Sequence, residues 1–150
     1  MLIVGNKLFC ANIGDARGIL CRSGKPLDLS VDHKAKRPDE LERIKKQGGY
    51  IVYGRVLGRL AISRAFGDFD CKNIEMNDND EPNTDPNNVN KIIRNFIMSE
   101  PEIRVVDINP GTDDFFLLAS DGLFDRFSSK ECCKVITQKL KKMELMEQCV

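Results

Sequence analysis

Apolar and polar positions alternate along the first third of the chain in short blocks cut by turn residues. Residues 1–4, 8–13 and 17–22 read as successive strands, separated by Gly5-Asn6-Lys7 and Gly14-Asp15. Ser23-Gly24-Lys25-Pro26 marks another turn. The pattern then changes. Residues 38–47 predict a helix: Pro38 suits its first position, Asp39 and Glu40 its first turn, and Lys45-Lys46 its last. Gly48-Gly49 stops it. Leu41 and Ile44 are its few apolar residues, so it is expected on the surface with one thin buried stripe. Residues 50–52 and 55–57 predict two short strands about a glycine turn. Residues 103–108 and 115–119 predict longer ones, separated by Asn109-Pro110-Gly111. A final helix starts at Ser128 or Ser129, where Ser128 and Glu131 fit a capping box. Cys133, Ile136, Leu140 and Met143 give this helix one apolar face. Strands joined by tight turns, with helices at intervals, argue for an α+β fold with antiparallel sheet.

The segment 115–125, FFLLASDGLFD, is the most telling. A short apolar run of this kind reads as a buried strand. It delivers Asp121 at its end and Asp125 four residues later. A carboxylate withdrawn from water needs a cation or donors, so the pair suggests a divalent-metal site. Asp121 suits equally well a cap on the turn after the strand.

Composition narrows the function. The 150 residues are one domain's worth of material, 41% hydrophobic and 31% charged. Basic and acidic residues balance at 23 each, so no global field recruits nucleic acid or an anionic membrane. No apolar run is long enough to span a bilayer, and no secretory leader pattern is present. The six cysteines show no CxxC pairing, and Cys132 and Cys133 are adjacent. They are expected to be reduced packing residues of an intracellular, cytoplasmic or nuclear protein. Residues 77–90, NDNDEPNTDPNNVN, break the composition and predict a solvated loop insert. Asp78 and Asp80 begin a calcium-loop pattern, but Pro82 and Asn83 stand where it needs Asp or Asn and then Gly.

Other segments carry a resemblance. CANIGDARGILCR, residues 10–22, is a strand, a Gly-Asp turn and a strand, and GRLAISRAFGDFD, residues 58–70, surrounds a small apolar core with Ser63-Arg64 and Gly67-Asp68. With DHKAKRPDELERIKKQGGYI, SEPEI and LASDGLFD in this order, the chain closely resembles the metal-dependent protein phosphatases of the type 2C (PPM) family. The resemblance implies an antiparallel β-sandwich flanked by helices, a four-layer αββα arrangement present in part. It implies hydrolysis of phosphoserine and phosphothreonine in phosphoprotein substrates at a binuclear Mg²⁺ or Mn²⁺ centre, without nucleic-acid or membrane partners. Such metals, about 3.5–4 Å apart, activate a water and neutralise the phosphoryl oxygens.

On the same basis Asp121 is the aspartate ligand of the family's S-D-G, while Asp15 and Asp125 match acidic residues around a weaker, additional metal position. Arg64 and Asp68 support the site, with an ion pair or turn contact as their default role, and Glu100 and Glu102 are expected on the surface. His33 sits in DHK, expected as an exposed loop. The leaving-group acid histidine and the phosphate-binding arginine belong to family segments that this chain does not match. The family's upstream D-G-H-G-G is not matched, nor is its D-N downstream of LASDGLFD, so residues 1–150 are expected to correspond to a middle-to-C-terminal part of the catalytic domain and no catalytic residue is assigned. Ala16 for Ser and Phe124 for Trp are smaller departures that touch packing more than mechanism. A non-catalytic pseudophosphatase or binding module on the same scaffold is the alternative. A haloacid-dehalogenase-like reading fails for want of a D-x-D-x-[TV] nucleophile at a strand end: Asp68 and Asp70 come nearest, with Lys72 at its last position.

Overall fold

The computed structural model describes residues 1–76 and 92–147. The insert at 77–90, with its Asp78 and Asp80, lies outside them. In chain order the elements are β1 (Leu2–Val4), β2 (Lys7–Asn12), β3 (Arg17–Arg22), β4 (Lys25–Asp28), α1 (Pro38–Lys46), β5 (Ile51–Val52) and β6 (Arg55–Val56). A 3₁₀ turn (Phe69–Cys71) follows, then β7 (Ile74–Met76), β8 (Ile92–Arg94), β9 (Glu102–Asp107), β10 (Asp113–Ala119), α2 (Asp121–Phe124) and α3 (Ser129–Glu147). They form two compact units: Met1–Asp32 with Glu102–Val150, and His33–Pro101.

The first unit holds two antiparallel three-stranded sheets, ordered β1-β2-β9 and β10-β3-β4. Leu8 and Cys10 of β2 pack with Leu20 of β3 and with Leu29. On the other face of β3, Ile19 and Cys21 pack with Phe124 of α2 and with Cys132 and Cys133 of α3. β3 is therefore buried on both faces, from Gly18 to Cys21. The α+β class and the antiparallel sheets are as expected.

Two expectations need correction. β10 is not wholly buried: Phe115, Leu117 and Ala119 face the helix side, but Phe116 and Leu118 are 49% and 56% exposed. β10 is an edge strand paired only with β3, so its other face lacks neighbours on one side. The apolar face of α3 is also buried only at its start. Cys133 is fully buried, whereas Leu140 and Met143 are exposed; of this helix's described residues only Cys132 and Cys133 join the buried cluster beside β3. The capping box is present: Glu131 Oε2 accepts from the Ser128 N–H and hydroxyl, and Ser128 Oγ accepts from the Glu131 N–H.

In the second unit α1 ends as its sequence dictates. Gly48, at φ +80°, follows the last turn, and the Gly49 and Gly48 N–H groups donate to the carbonyls of Ile44 and Lys45, a Schellman closure. Gly49 then presses against the core made by Ala35, Ile44, Val56, Cys71, Met76, Phe96 and Ile97. A Cβ at Gly49 would lie 2.6 Å from Phe96 Cδ1 and 2.7 Å from Ile44 Cγ2. Gly49→Ala is expected to destabilise the protein by about 1–3 kcal/mol, as overpacked cores do. A urea midpoint equal to that of wild type would contradict this.

Three backbone stretches lie side by side here. The Ser63 N–H donates to the His33 carbonyl, Ala35 to Ala61, Met98 to Ser63 and Ala65 to Met98. The LAISRA segment is the middle ply. His33 is consequently not on an exposed loop: it is fully buried, while its neighbours Asp32 and Lys34 are half-buried. Glu40 corrects the picture of α1. It is 1% exposed, buried with Ile44, because arginines on its own helix and on the middle ply converge on it.

Candidate metal site

Asp15, Asp121 and Asp125 all belong to the first unit. Asp15 lies in the turn between β2 and β3, after Gly14 at φ +91°. Asp121 is the first residue of α2, one position after Ser120, and Asp125 caps the end of that one-turn helix. The β3–β10 register puts the first two at the same end of one ladder. Leu118 pairs with Gly18 and Ala119 with Arg17; Asp15 lies shortly before β3 and Asp121 shortly after β10, at that end of the pair. Both carboxylates thus leave one end of a two-strand ladder.

Arg17 organises that end. Its Nε and Nη2 donate to Asp32 Oδ1 and Oδ2, both at 2.9 Å. Its guanidinium carbon also lies 4.6 Å from the centroid of the Phe124 ring, within cation–π range. The Asp32 bonds raise the arginine's pKa above its ordinary value, burial opposes, and the charges of Asp32, Asp28 and Asp125 add to the rise. Arg17 therefore ties β3 to α2 through a ring and sits in the field of Asp125. Phe124, in the family's Trp position, supplies the ring face. Arg17 stands in the quoted G-D-A-R pattern; its partner Asp32, fifteen residues on, had no signal in spacing.

The donor chemistry suits a hard divalent cation: carboxylate oxygens near a sheet end, with no thiol or imidazole in the set. Asp121 and Asp125 are exposed, and neither carboxylate bonds to a protein donor among the described residues. That leaves their lone pairs open to solvent or a cation. The three do not assemble as a compact trio with ligand atoms within 4.8 Å of one another. An Mg²⁺-type ion is ordinarily held by one or two carboxylates with waters completing the shell, so the residues fit a cation in kind.

The SRAFGD segment belongs to the second unit. Arg64 has the role expected by default. Its Nη2 and Nε donate to Glu40 Oε1 at 2.6 and 3.0 Å, and its Nη1 to the Glu100 carbonyl at 3.0 Å. Arg43 takes the other carboxylate oxygen at 2.9 Å and also donates to the carbonyls of Ser63 and Phe96. Asp68 is exposed, in the left-handed region at φ +60°. Lys72 fastens the loop from below: its Nζ donates to the carbonyls of Ala65 and Phe66 and to Ser99 Oγ. Glu100 is exposed and Glu102 opens β9, half-buried.

Known proteins share this chain's sequence and fold. The family model described as protein phosphatase 2C matches residues 1–150. Probable protein phosphatase 2C 78 of Arabidopsis thaliana is 41% identical over 138 residues, 90% of this chain and 28% of that protein. A crystal structure of a phosphatase from a pathogenic strain of Toxoplasma gondii superposes with a TM-score of 0.62 at 31% identity, covering 94% of this chain and 39% of that one. The crystal structure of serine-threonine phosphatase 2C from Toxoplasma gondii gives a TM-score of 0.69 at 22% identity, covering 93% and 45%, and supports the fold alone. The chain spans 28% of the length of the Arabidopsis relative, and no described helix is long and apolar enough to cross a membrane. A match over all 150 residues, with identity above 40% across most of them, makes this chain a member of the protein phosphatase 2C family.

Proposed function

We propose that the protein carrying this chain is a protein serine/threonine phosphatase, with residues 1–150 a middle-to-C-terminal part of its catalytic domain. One observation carries the reading: the Asp121 carboxylate stands exposed and, among the described residues, without a protein partner just after β10, at the end of the ladder where the Asp15 turn enters β3. Mg²⁺ or Mn²⁺ bound there supplies an activated water and neutralises phosphoryl charge. Asp121 would hold the cation, with Asp15 and Asp125 at a weaker, additional position. Arg17, bonded to Asp32 and stacked on Phe124, ties the start of β3 to the short helix that carries Asp121 and Asp125. Substrates on this reading are phosphoserine and phosphothreonine in proteins. The buried, unpaired thiols of Cys10, Cys21, Cys71, Cys132 and Cys133 support a reducing intracellular setting, cytoplasmic or nuclear.

The second reading, a non-catalytic binding scaffold, is favoured by the lack of convergence of the three carboxylates. The two are separated by stripping the full-length protein with EDTA and assaying a phosphothreonine peptide. Activity restored by Mn²⁺ or Mg²⁺ and insensitive to vanadate is expected; residues 1–150 alone should turn over p-nitrophenyl phosphate poorly. A folded, metal-replete full-length protein without hydrolysis would establish the scaffold reading.

A further inference from the structure

Four residues of one short segment have positive φ: Tyr53 at +52°, Gly54 at +74°, Leu57 at +51° and Gly58 at +71°. Glycine takes this conformation freely, and bulky residues rarely take it at all. For Leu57 the fold offers a return, since its side chain packs on the core of the second unit. Tyr53 has none. It occupies the first central position of the two-residue turn joining β5 to β6, where Asn or Asp is the favoured residue, and its side chain is 99% exposed.

The hairpin that carries it is firmly built. Ile51 pairs with Val56 and Val52 with Arg55. The Leu57 N–H donates to the Tyr50 carbonyl at 2.9 Å, the Val56 N–H to Leu60 at 2.7 Å, and Arg55 Nη1 to the Arg59 carbonyl at 2.8 Å. Tyr50 and Val52 add exposed apolar surface, 52% and 41%. A strained residue on a rigid support is a feature that points outward, to something bound.

Charge indicates what that is. From Gly49 to Gly67 the chain contains Arg55, Arg59 and Arg64 and no acidic residue. Arg64 is committed to Glu40. Arg55 and Arg59 are exposed, and neither has an ion-pair partner among the described residues. An exposed aromatic ring on one hairpin with guanidinium groups that lack ion-pair partners among the described residues complements an acidic polypeptide, the ring giving contact area and the arginines bidentate carboxylate bonds. Two cations in a chain of zero net charge fall short of what a nucleic-acid backbone requires.

We propose that the Tyr53 hairpin, with Arg55 and Arg59, docks acidic segments of the phosphoprotein substrate; this rests on the phosphatase reading above. The test measures binding apart from turnover, by fluorescence anisotropy of the full-length protein with labelled unphosphorylated peptides. A peptide rich in Asp and Glu is expected to bind about tenfold or more tightly than a neutral one of equal length. Tyr53→Asn keeps a residue suited to the turn, and Arg59→Glu reverses a charge. Each should erase about tenfold of that affinity while p-nitrophenyl phosphate turnover stays unchanged and the melting temperature does not fall. Equal binding of acidic and neutral peptides, no effect of Tyr53→Asn, or equal competition by single-stranded RNA overturns the docking assignment. An unmutated protein that turns over substrate but shows no preference for the acidic peptide refutes docking alone; an unmutated protein without turnover refutes the phosphatase reading instead.

Discussion

Replacing Asp121 with alanine in the full-length protein is expected to reduce metal-dependent hydrolysis by about a hundredfold or more, since even residues behind the ligands cost 10–100-fold. The fold should survive. The carboxylate is exposed and bonds to no protein group among the described residues, so its removal leaves no buried donor stranded there. Circular dichroism and the urea midpoint are therefore expected to match wild type while calorimetric Mn²⁺ binding is lost. On the proposed ligand set, Asp125→Ala and Asp15→Ala should chiefly raise the metal concentration needed for half-maximal rate. An Asp121→Ala protein within a few fold of wild type would remove Asp121 from the ligand set.

Glu40→Ala has the opposite profile, a loss of stability rather than of chemistry. Its carboxylate, 2% exposed, accepts from Arg64 on one oxygen and Arg43 on the other, with Arg37 at 3.7 Å. Removing it strands two guanidinium groups that are 11% and 20% exposed. Breaking a buried pair from one side costs about 3–5 kcal/mol, and thermal or urea unfolding of Glu40→Ala should report a loss of that order. Acid should mimic it. Burial favours the neutral acid, but bonds from Arg64, Arg43 and Ser63 outweigh burial and hold the pKa down to about 2 against an ordinary 4.5. A folded-state pKa below the unfolded one means this stabilisation is complete above about pH 4.5. It drains away as pH falls toward 2, amounting to about 3 kcal/mol at 1.36 kcal/mol per unit. In Glu40→Gln this acid-sensitive portion should vanish; an unchanged acid profile would show that other carboxylates dominate.

The contrast between these two residues shows what a linear reading can reach. Asp121 announces itself because a strand end, a glycine and a second acid four residues on are all local features. The three strands from Leu2 to Arg22, the Schellman stop at Gly48-Gly49 and the Ser128 capping box were legible for the same reason. Glu40 was not, because an acid in a first helical turn already has a sufficient local explanation. Its burial is decided by Arg64, twenty-four residues away, on a segment threaded between two others. His33 misled likewise: charged neighbours suggested exposure, and only the ply at Ser63 and Met98 buries it. On β10 the apolar run identified the strand, but whether its second face is covered depends on which strands lie beside it. The short elements β4, β7, β8 and α2 hold too few residues for a period to declare itself.

The sorting of thiols between the two compact units gives each its own chemical clock. Among the described residues Cys71 is the sole cysteine of the second, while Cys10, Cys21, Cys132 and Cys133 all lie in the first. Burial raises the pKa of Cys71, and burial with the neighbouring Cys21 thiol pushes Cys133 up to about 12. At neutral pH neither offers an appreciable thiolate in the native state, so an alkylating reagent reaches them only through opening of the surrounding structure. Labelling rates at Cys71 and at Cys133, resolved by peptide mass, thus follow the breathing of each unit residue by residue.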